Sequence, residues 1–187
     1  MIFSDKYNFA ISKFFASGLL GLVLVILVFS VSFASKADKP ALLMPLAAKS
    51  LVLDIANTGS RIVAVGWRGH ILISDDDAQS WTQVASPTSS MLNSVYFADN
   101  LRGWAVGHDA VIISTEDGGK SWKLLSSAPE EEQPIFDLIV TGDYGFAIGA
   151  YAKFMVTQDG GKSWENSEFI IRKGEETSGV SSEEEEA

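Results

Sequence analysis

The sequence predicts an all-β chain of β-propeller-type blades, about three four-stranded repeats in an incomplete ring, and two landmarks carry that reading. The phrase Ser74-Asp75-Asp76-Asp77-Ala78-Gln79-Ser80-Trp81 returns as Thr115-Glu116-Asp117-Gly118-Gly119-Lys120-Ser121-Trp122 and as Thr157-Gln158-Asp159-Gly160-Gly161-Lys162-Ser163-Trp164. The tryptophans stand 41 and then 42 residues apart. A second echo, closing at Gly66, Gly107 and Gly149, keeps the same two spacings. A fixed period near 40 residues marks stacked copies of one small unit, and two landmarks holding one period argue against coincidence.

Each copy divides into four short runs. The first are Leu51–Ala56, Leu92–Ala98 and Ile135–Val140, and the second lead into the three glycines. The third are Ile71–Ser74, Val111–Ser114 and Phe154–Thr157, and a tail such as Lys123–Ser126 follows each tryptophan. Runs rich in Val, Ile and aromatics between Gly, Asp, Asn and Ser read as strands and tight turns. Four strands per copy make one propeller blade, with repeats near 50–90, 91–131 and 132–174. The phrase supplies the turn between the third and fourth strands: Asp accepts backbone N–H groups two residues on, Gly supplies positive φ, and Trp buries a large ring. Its structural residues are therefore Ser74, Asp76, Ser80 and Trp81, then Thr115, Asp117, Gly119, Ser121 and Trp122, then Thr157, Asp159, Gly161, Ser163 and Trp164. Ala78 breaks the glycine pattern, so the first hairpin is expected to be looser or differently wound.

The repeats sit between segments of other character. Phe14–Ala34 contains no charge, follows Lys6 and Lys13, and closes on Ser32-Phe33-Ala34. This predicts an N-terminal hydrophobic helix over 1–34: an export signal cut after Ala34, or a membrane anchor over 14–34 as the alternative. Both place the remainder outside the cytoplasm, on the periplasmic or thylakoid-lumen side. Residues 35–49, with Pro40 and Pro45, read as a linker, and the acidic stretch 175–187 reads as a disordered tail. The chain has no cysteine, which excludes disulfides and thiolate metal sites. Beyond residue 34 it carries 12 basic against 23 acidic side chains, a surface that repels nucleic acid. Propellers close with four to eight blades, so three copies imply a shortened chain or remnant of a longer propeller. Self-association that completes the ring is the alternative.

Catalysis finds little support. Asp76, Asp117 and Asp159 invite a paired-carboxylate reading, but equivalent residues of a propeller do not converge, and turn capping explains all three. A sialidase needs an arginine cluster and a Tyr nucleophile, whereas Arg61 and Arg102 fall in equivalent turns without converging. His70 and His108 occupy non-equivalent positions, so neither metal nor other cofactor is expected, and no small-molecule substrate. What remains is protein recognition through exposed turns. The candidates are Arg61, Trp67, Arg68, Arg102, His108, Asp109, Tyr151 and Lys153, with the three arginines read as a local basic patch for an acidic partner segment.

The repeated phrase is the Asp box, or BNR repeat. With the Gly103-Trp104-Ala105-Val106-Gly107-His108-Asp109 stretch, residues 42–165 resemble the photosystem II stability and assembly factor family, departing from it at Ala78, Ala110 and Ala152. That resemblance implies a non-enzymatic binding module. Its partner would be a membrane protein or its assembly intermediate, either photosystem II or, in bacterial relatives, an RND-type exporter. A sialidase-like or glycan-binding propeller is the alternative.

Overall fold

The computed structural model describes residues 38–169. The expected signal or anchor and the acidic tail lie outside the described residues. Among those residues, no helix is long and apolar enough to cross a membrane.

Three four-stranded antiparallel sheets follow one another along the chain, each in sequence order. The first holds β1 (Val52–Asn57), β2 (Ile62–Gly66), β3 (Ile71–Ser74) and β4 (Thr82–Val84). The second holds β5 (Leu92–Phe97), β6 (Gly103–Gly107), β7 (Ile112–Thr115) and β8 (Lys123–Ser126). The third holds β9 (Ile135–Thr141), β10 (Tyr144–Gly149), β11 (Phe154–Thr157) and β12 (Glu165–Asn166). First strands lie side by side, β1 against β5 and β5 against β9. Among the described residues hydrophobic cores join the first sheet to the second and the second to the third, and none joins the third to the first, so these three sheets form an open arc.

The register is the same in each copy, and it fixes which side chains meet the neighbouring sheet. Ala64 pairs with Ile55 and Leu72, Ala105 with Val95 and Ile113, and Ala147 with Leu138 and Met155. Side chains alternate along a strand, so these rows face one way and the rows through Val63, Trp104 and Phe146 face the other. One core therefore joins Val63, Val65 and Ile71 of the first sheet to Val95, Ala105, Ile113 and Trp122 of the second. A second joins Trp104, Val106 and Ile112 to Leu138, Val140, Ala147 and Met155, with Trp164 packed against it. Trp122 and Trp164 thus each pack between their own sheet and the preceding one. Phe97 meets Trp122 edge-on at 6.2 Å, a favoured aromatic geometry.

The echo glycines serve a close approach. Each first strand carries a bulge near its start, and the carbonyl before it accepts an N–H from the turn after the glycine: Trp67 to Leu51, His108 to Met91 and Ala150 to Pro134, all 2.9 Å. A Cβ on Gly107 would sit 1.9 Å from the Met91 carbonyl oxygen. Any side chain there would force the two strands apart.

The described part of the segment expected as a linker runs along the first sheet. The Ala41 amide donates to the Ser86 carbonyl, and the Gln83 side chain both accepts from the Met44 amide and donates to the Leu42 carbonyl. A short 3-10 turn, Ala47–Lys49, buries Ala47 with Ala64, Leu72 and Trp81. These residues cover the side of the first sheet that in the other two sheets meets a neighbour.

Trp122→Ala should destabilise the fold by about 3–5 kcal/mol, the usual range for emptying a buried aromatic site, measured as a lowered urea midpoint. An effect below about 1 kcal/mol would show that the indole is not the plug between the sheets.

Candidate functional site

Antiparallel strands send alternate turns to opposite ends of the stack. The β1–β2 and β3–β4 turns share one end with their counterparts in the other sheets. The β2–β3 turns and the connectors between sheets occupy the other. The eight candidate binding residues divide between these ends, which corrects their expected grouping. Arg61 and Arg102 belong to the end that carries the repeated phrase, and Trp67, Arg68, His108, Asp109, Tyr151 and Lys153 belong to the opposite one. Arg61 and Arg102 therefore share no basic patch with Arg68.

At the phrase end the aspartates are structural clamps. Asp117 Oδ1 accepts the Ser121 amide at 2.9 Å and the Thr115 hydroxyl at 2.9 Å, and Oδ2 accepts the Ser121 hydroxyl at 2.6 Å. Asp159 repeats this with Ser163 and Thr157, and Asp76 with Ser80 and Ser74. The clamped amide lies four residues on rather than two. The Thr115 hydroxyl oxygen also accepts the Gly119 amide, so hydroxyl and carboxylate together span the whole hairpin. Hydrogen bonds from the Ser80 hydroxyl and amide hold the Asp76 carboxyl down to about 2. The same bonds from Ser163 hold Asp159 well below the usual range. Burial pushes Asp117 up, and the Ser121 and Thr115 bonds outweigh it.

The first hairpin is wound like the others despite its sequence. Asp77 and Ala78 adopt φ of 54° and 66° where Gly118 and Gly119 adopt 70° and 86°. The Ser74 hydroxyl accepts the Ala78 amide at 2.9 Å, as Thr115 accepts Gly119. The cost of Ala78 thus appears as backbone strain, on the order of 1 kcal/mol, with the turn unchanged. Trp122 Nε1 donates to its own Gly119 carbonyl at 3.0 Å. In the third copy Trp104 of the second sheet takes that acceptor on Gly161 at 2.8 Å, and Trp164 Nε1 has no partner among the described residues.

Both arginines at this end are occupied. The Arg61 guanidinium grips Asp75 through two nitrogens and donates to the Gly118 carbonyl of the next sheet, so it ties neighbouring hairpins together. Arg102 pairs with Asp99, whose carboxyl the Arg102 amide and side chain hold at about 2. The Arg61 guanidinium is fully engaged, whereas Arg102 pairs through Nε alone and stays exposed.

At the opposite end each β2–β3 turn places two consecutive residues at positive φ: Arg68-Gly69, Asp109-Ala110 and Tyr151-Ala152. In these turns Tyr151 is 82% exposed, and Trp67, just before the left-handed pair of its turn, is 45% exposed. Arg68 and His108 are exposed beside them. Asp109 is turned inward, accepting the Ser90 hydroxyl at 2.5 Å. Lys153 is buried against Glu131 and makes no outward charge. Six residues expected at this end therefore reduce to four that reach solvent freely: Trp67, Arg68, His108 and Tyr151.

Sequence reasoning missed a network at the strand bulges nearby. Asp54 of β1 accepts the Val95 amide at 2.8 Å, and the Ser94 hydroxyl lies 3.0 Å from Asp54 and 2.9 Å from Asp137. One hydroxyl proton serves one carboxylate at a time, so Ser94 bridges all three first strands by alternation. Asp54 and Asp137 occupy equivalent positions, 12 residues before Gly66 and Gly149. That spacing was the available signal. The bulge residues Leu53 and Phe136 remain exposed at this end. Among the described residues, no group of three His, Asp or Glu is placed to hold a metal ion.

His70 is buried below Arg68. The Ser50 hydroxyl donates to the Ala47 carbonyl and lies 3.0 Å from His70 Nδ1, so Nδ1 carries the imidazole proton and Nε2 is buried without a partner among the described residues. Burial, and secondarily Arg68, lower its pKa. The neutral ring is the folded form.

Residues 73–172 match the family described as photosynthesis system II assembly factor YCF48. The photosystem II assembly lipoprotein Ycf48 of Trichormus variabilis is 33% identical over 60 residues, covering 32% of this chain and 18% of that protein. The chloroplastic photosystem II stability/assembly factor HCF136 of Cyanidioschyzon merolae is 31% identical over 88 residues, 46% of this chain and 19% of its own length. A solved structure described as YCF48 bound to D1 peptide superposes with a TM-score of 0.54 at 23% identity, over 72% of this chain and 45% of that one. At that identity the superposition establishes the propeller fold alone. The chain spans about a fifth of the length of these curated relatives.

Stability should fall with pH in two windows. Unfolded His70 binds a proton that the folded form refuses, so stability present above about 6.5 is lost as pH drops below it. The clamped aspartates are depressed in the fold, so their contribution is full above about 4 and is lost as pH falls toward 2. Urea midpoints across pH 7 to 5 should lose their slope in His70→Gln and keep it in His108→Gln. A slope that survives His70→Gln contradicts the assignment. In a separate comparison, Ala78→Gly should raise the melting temperature by relieving the left-handed alanine, and a lowered one would contradict the strain.

Proposed function

Because this chain belongs to the photosynthesis system II assembly factor YCF48 family, we propose that it is a non-enzymatic, extracytoplasmic module that binds an extended segment of a photosystem II membrane protein or its assembly intermediate. The observation that carries the reading is the end built from the β2–β3 turns. Three left-handed turns in equivalent positions project Trp67, Arg68, His108 and Tyr151, with Leu53 and Phe136 exposed on the adjoining first strands. Exposed Trp, Tyr and Arg are the side chains that most often dominate a protein interface. A related solved structure is described as bound to a D1 peptide, which supports an extended peptide as the ligand class. Non-catalytic action is supported by the fate of the three aspartates, whose oxygens are committed to their hairpins. An exporter component as client has no specific observation in its favour. Export follows from the expected signal or anchor, and one relative is itself described as a lipoprotein.

Titration with a labelled D1 peptide tests the reading. The double variant Trp67→Ala/Tyr151→Ala should weaken binding at least tenfold, the effect of losing about 1.4 kcal/mol at an interface hot spot. Arg102→Ala, at the far end, should leave affinity unchanged. Equal affinities for wild type and the double variant would overturn the turn end as the binding face.

A further inference from the structure

The turns after Gly66, Gly107 and Gly149 bury the same position, the fourth residue after the glycine, and fill it differently. The first sheet places His70 there and the second Val111, whereas the third places Lys153, which is 9% exposed. Val111 shows that an apolar side chain satisfies the packing of this position. An ammonium in its place costs free energy unless it is paired. The third turn therefore carries a buried charge that the fold does not require.

Lys153 lines a cleft of about 380 Å³ together with Glu131, Gln133, Tyr151, Phe154 and Asn166. The cleft lies at the end of the stack that carries Trp67 and Tyr151, between the β10–β11 turn and the connector from β8 to β9. The Lys153 ammonium has three N–H donors, and among the described residues the Glu131 carboxylate alone takes one. Glu131 is itself exposed, on a connector turn closed by its amide to the Ala128 carbonyl. A buried cation is thus neutralised by a carboxylate that water reaches. Exchange for another carboxylate would leave the cation paired, avoiding the cost of an unpaired buried charge. The Gln133 and Asn166 amides offer further donors in the cleft, and the rings of Phe154 and the exposed Tyr151 offer apolar walls.

We infer that this cleft takes one carboxylate of the client segment onto Lys153, and that Glu131 holds the place in cis until the client displaces it. The inference rests on the reading of this end as the peptide-binding face and adds a specificity to it. Exposed Glu130 and Glu132 flank the connector carboxylate and repel a run of acidic residues. The site therefore selects a single carboxylate on an otherwise neutral or basic segment, from a side chain or from a chain terminus. Glu131 acts as an internal competitor, so the affinity for the client is set below what Lys153 alone would give.

The test titrates the full chain with labelled D1 peptide in three forms: the free acid, the C-terminal amide, and a form whose side-chain carboxylates are replaced by amides. One of the two amide forms should bind wild type about tenfold or more weakly than the free acid, the scale of a lost bond to a charged group, and it identifies the source of the carboxylate. Lys153→Met, an apolar replacement of the kind Val111 already makes, should abolish the difference among the forms. Lys120→Met removes the same charge at the opposite end and should keep it. Glu131→Gln should tighten the free acid and leave the weakened amide form unchanged. Equal affinities of all three forms for wild type, or loss of the difference in Lys120→Met, would overturn the carboxylate site while leaving the binding face standing. Weaker binding of the free acid to Glu131→Gln would overturn the exchange and make Glu131 a strut. Failure of every form to bind wild type would overturn both the site and the binding face.

Discussion

The structure depends on one contact repeated twice: a hairpin stiffened by a buttressed carboxylate, pressed with its indole into the face of the preceding sheet. An isolated four-stranded sheet with one apolar face gains little from closing on itself. Here each sheet presents two apolar faces. Stability therefore comes from stacking, and the hairpin decides how closely two sheets approach. Gly119 lies against Val63 across the first junction, and Gly161 lies against Trp104 across the second. The small residue makes room on one side for the large residue on the other.

That exchange explains why the copies differ where they do. Val63 is compact and leaves the Gly119 carbonyl to Trp122, whereas Trp104 is long enough to reach the Gly161 carbonyl itself. Packing volume and hydrogen-bond partner change together across the junction. The same economy governs charge, since Arg61 spends its guanidinium on Asp75 and on the neighbouring hairpin. Side chains that a sequence offers as recognition elements are here holding blades together.

The period, the strand runs and the Trp and Asp roles were legible because repetition amplifies them. Gly66, Gly107 and Gly149 announced a backbone constraint three times, and it is the same close approach each time. The separation of Arg61 and Arg102 from Arg68 followed from strand alternation and was obscured by treating charge without the ends on which it lies. Asp109 and Lys153 looked free in sequence because their partners, Ser90 and Glu131, sit in connectors whose path only the folded chain defines. The bulge network of Asp54, Ser94 and Asp137 stayed hidden for a similar reason. Its middle member is a serine offset by one residue from the common spacing.

Hydrogen–deuterium exchange on Asp117→Ala tests the coupling between sheets most directly. If the clamped hairpin of the second sheet holds the first, protection should fall in β2 and β3 of the first sheet as well as in the altered hairpin. Loss confined to residues 115–122, with β2 and β3 as protected as in the wild type, would contradict the account.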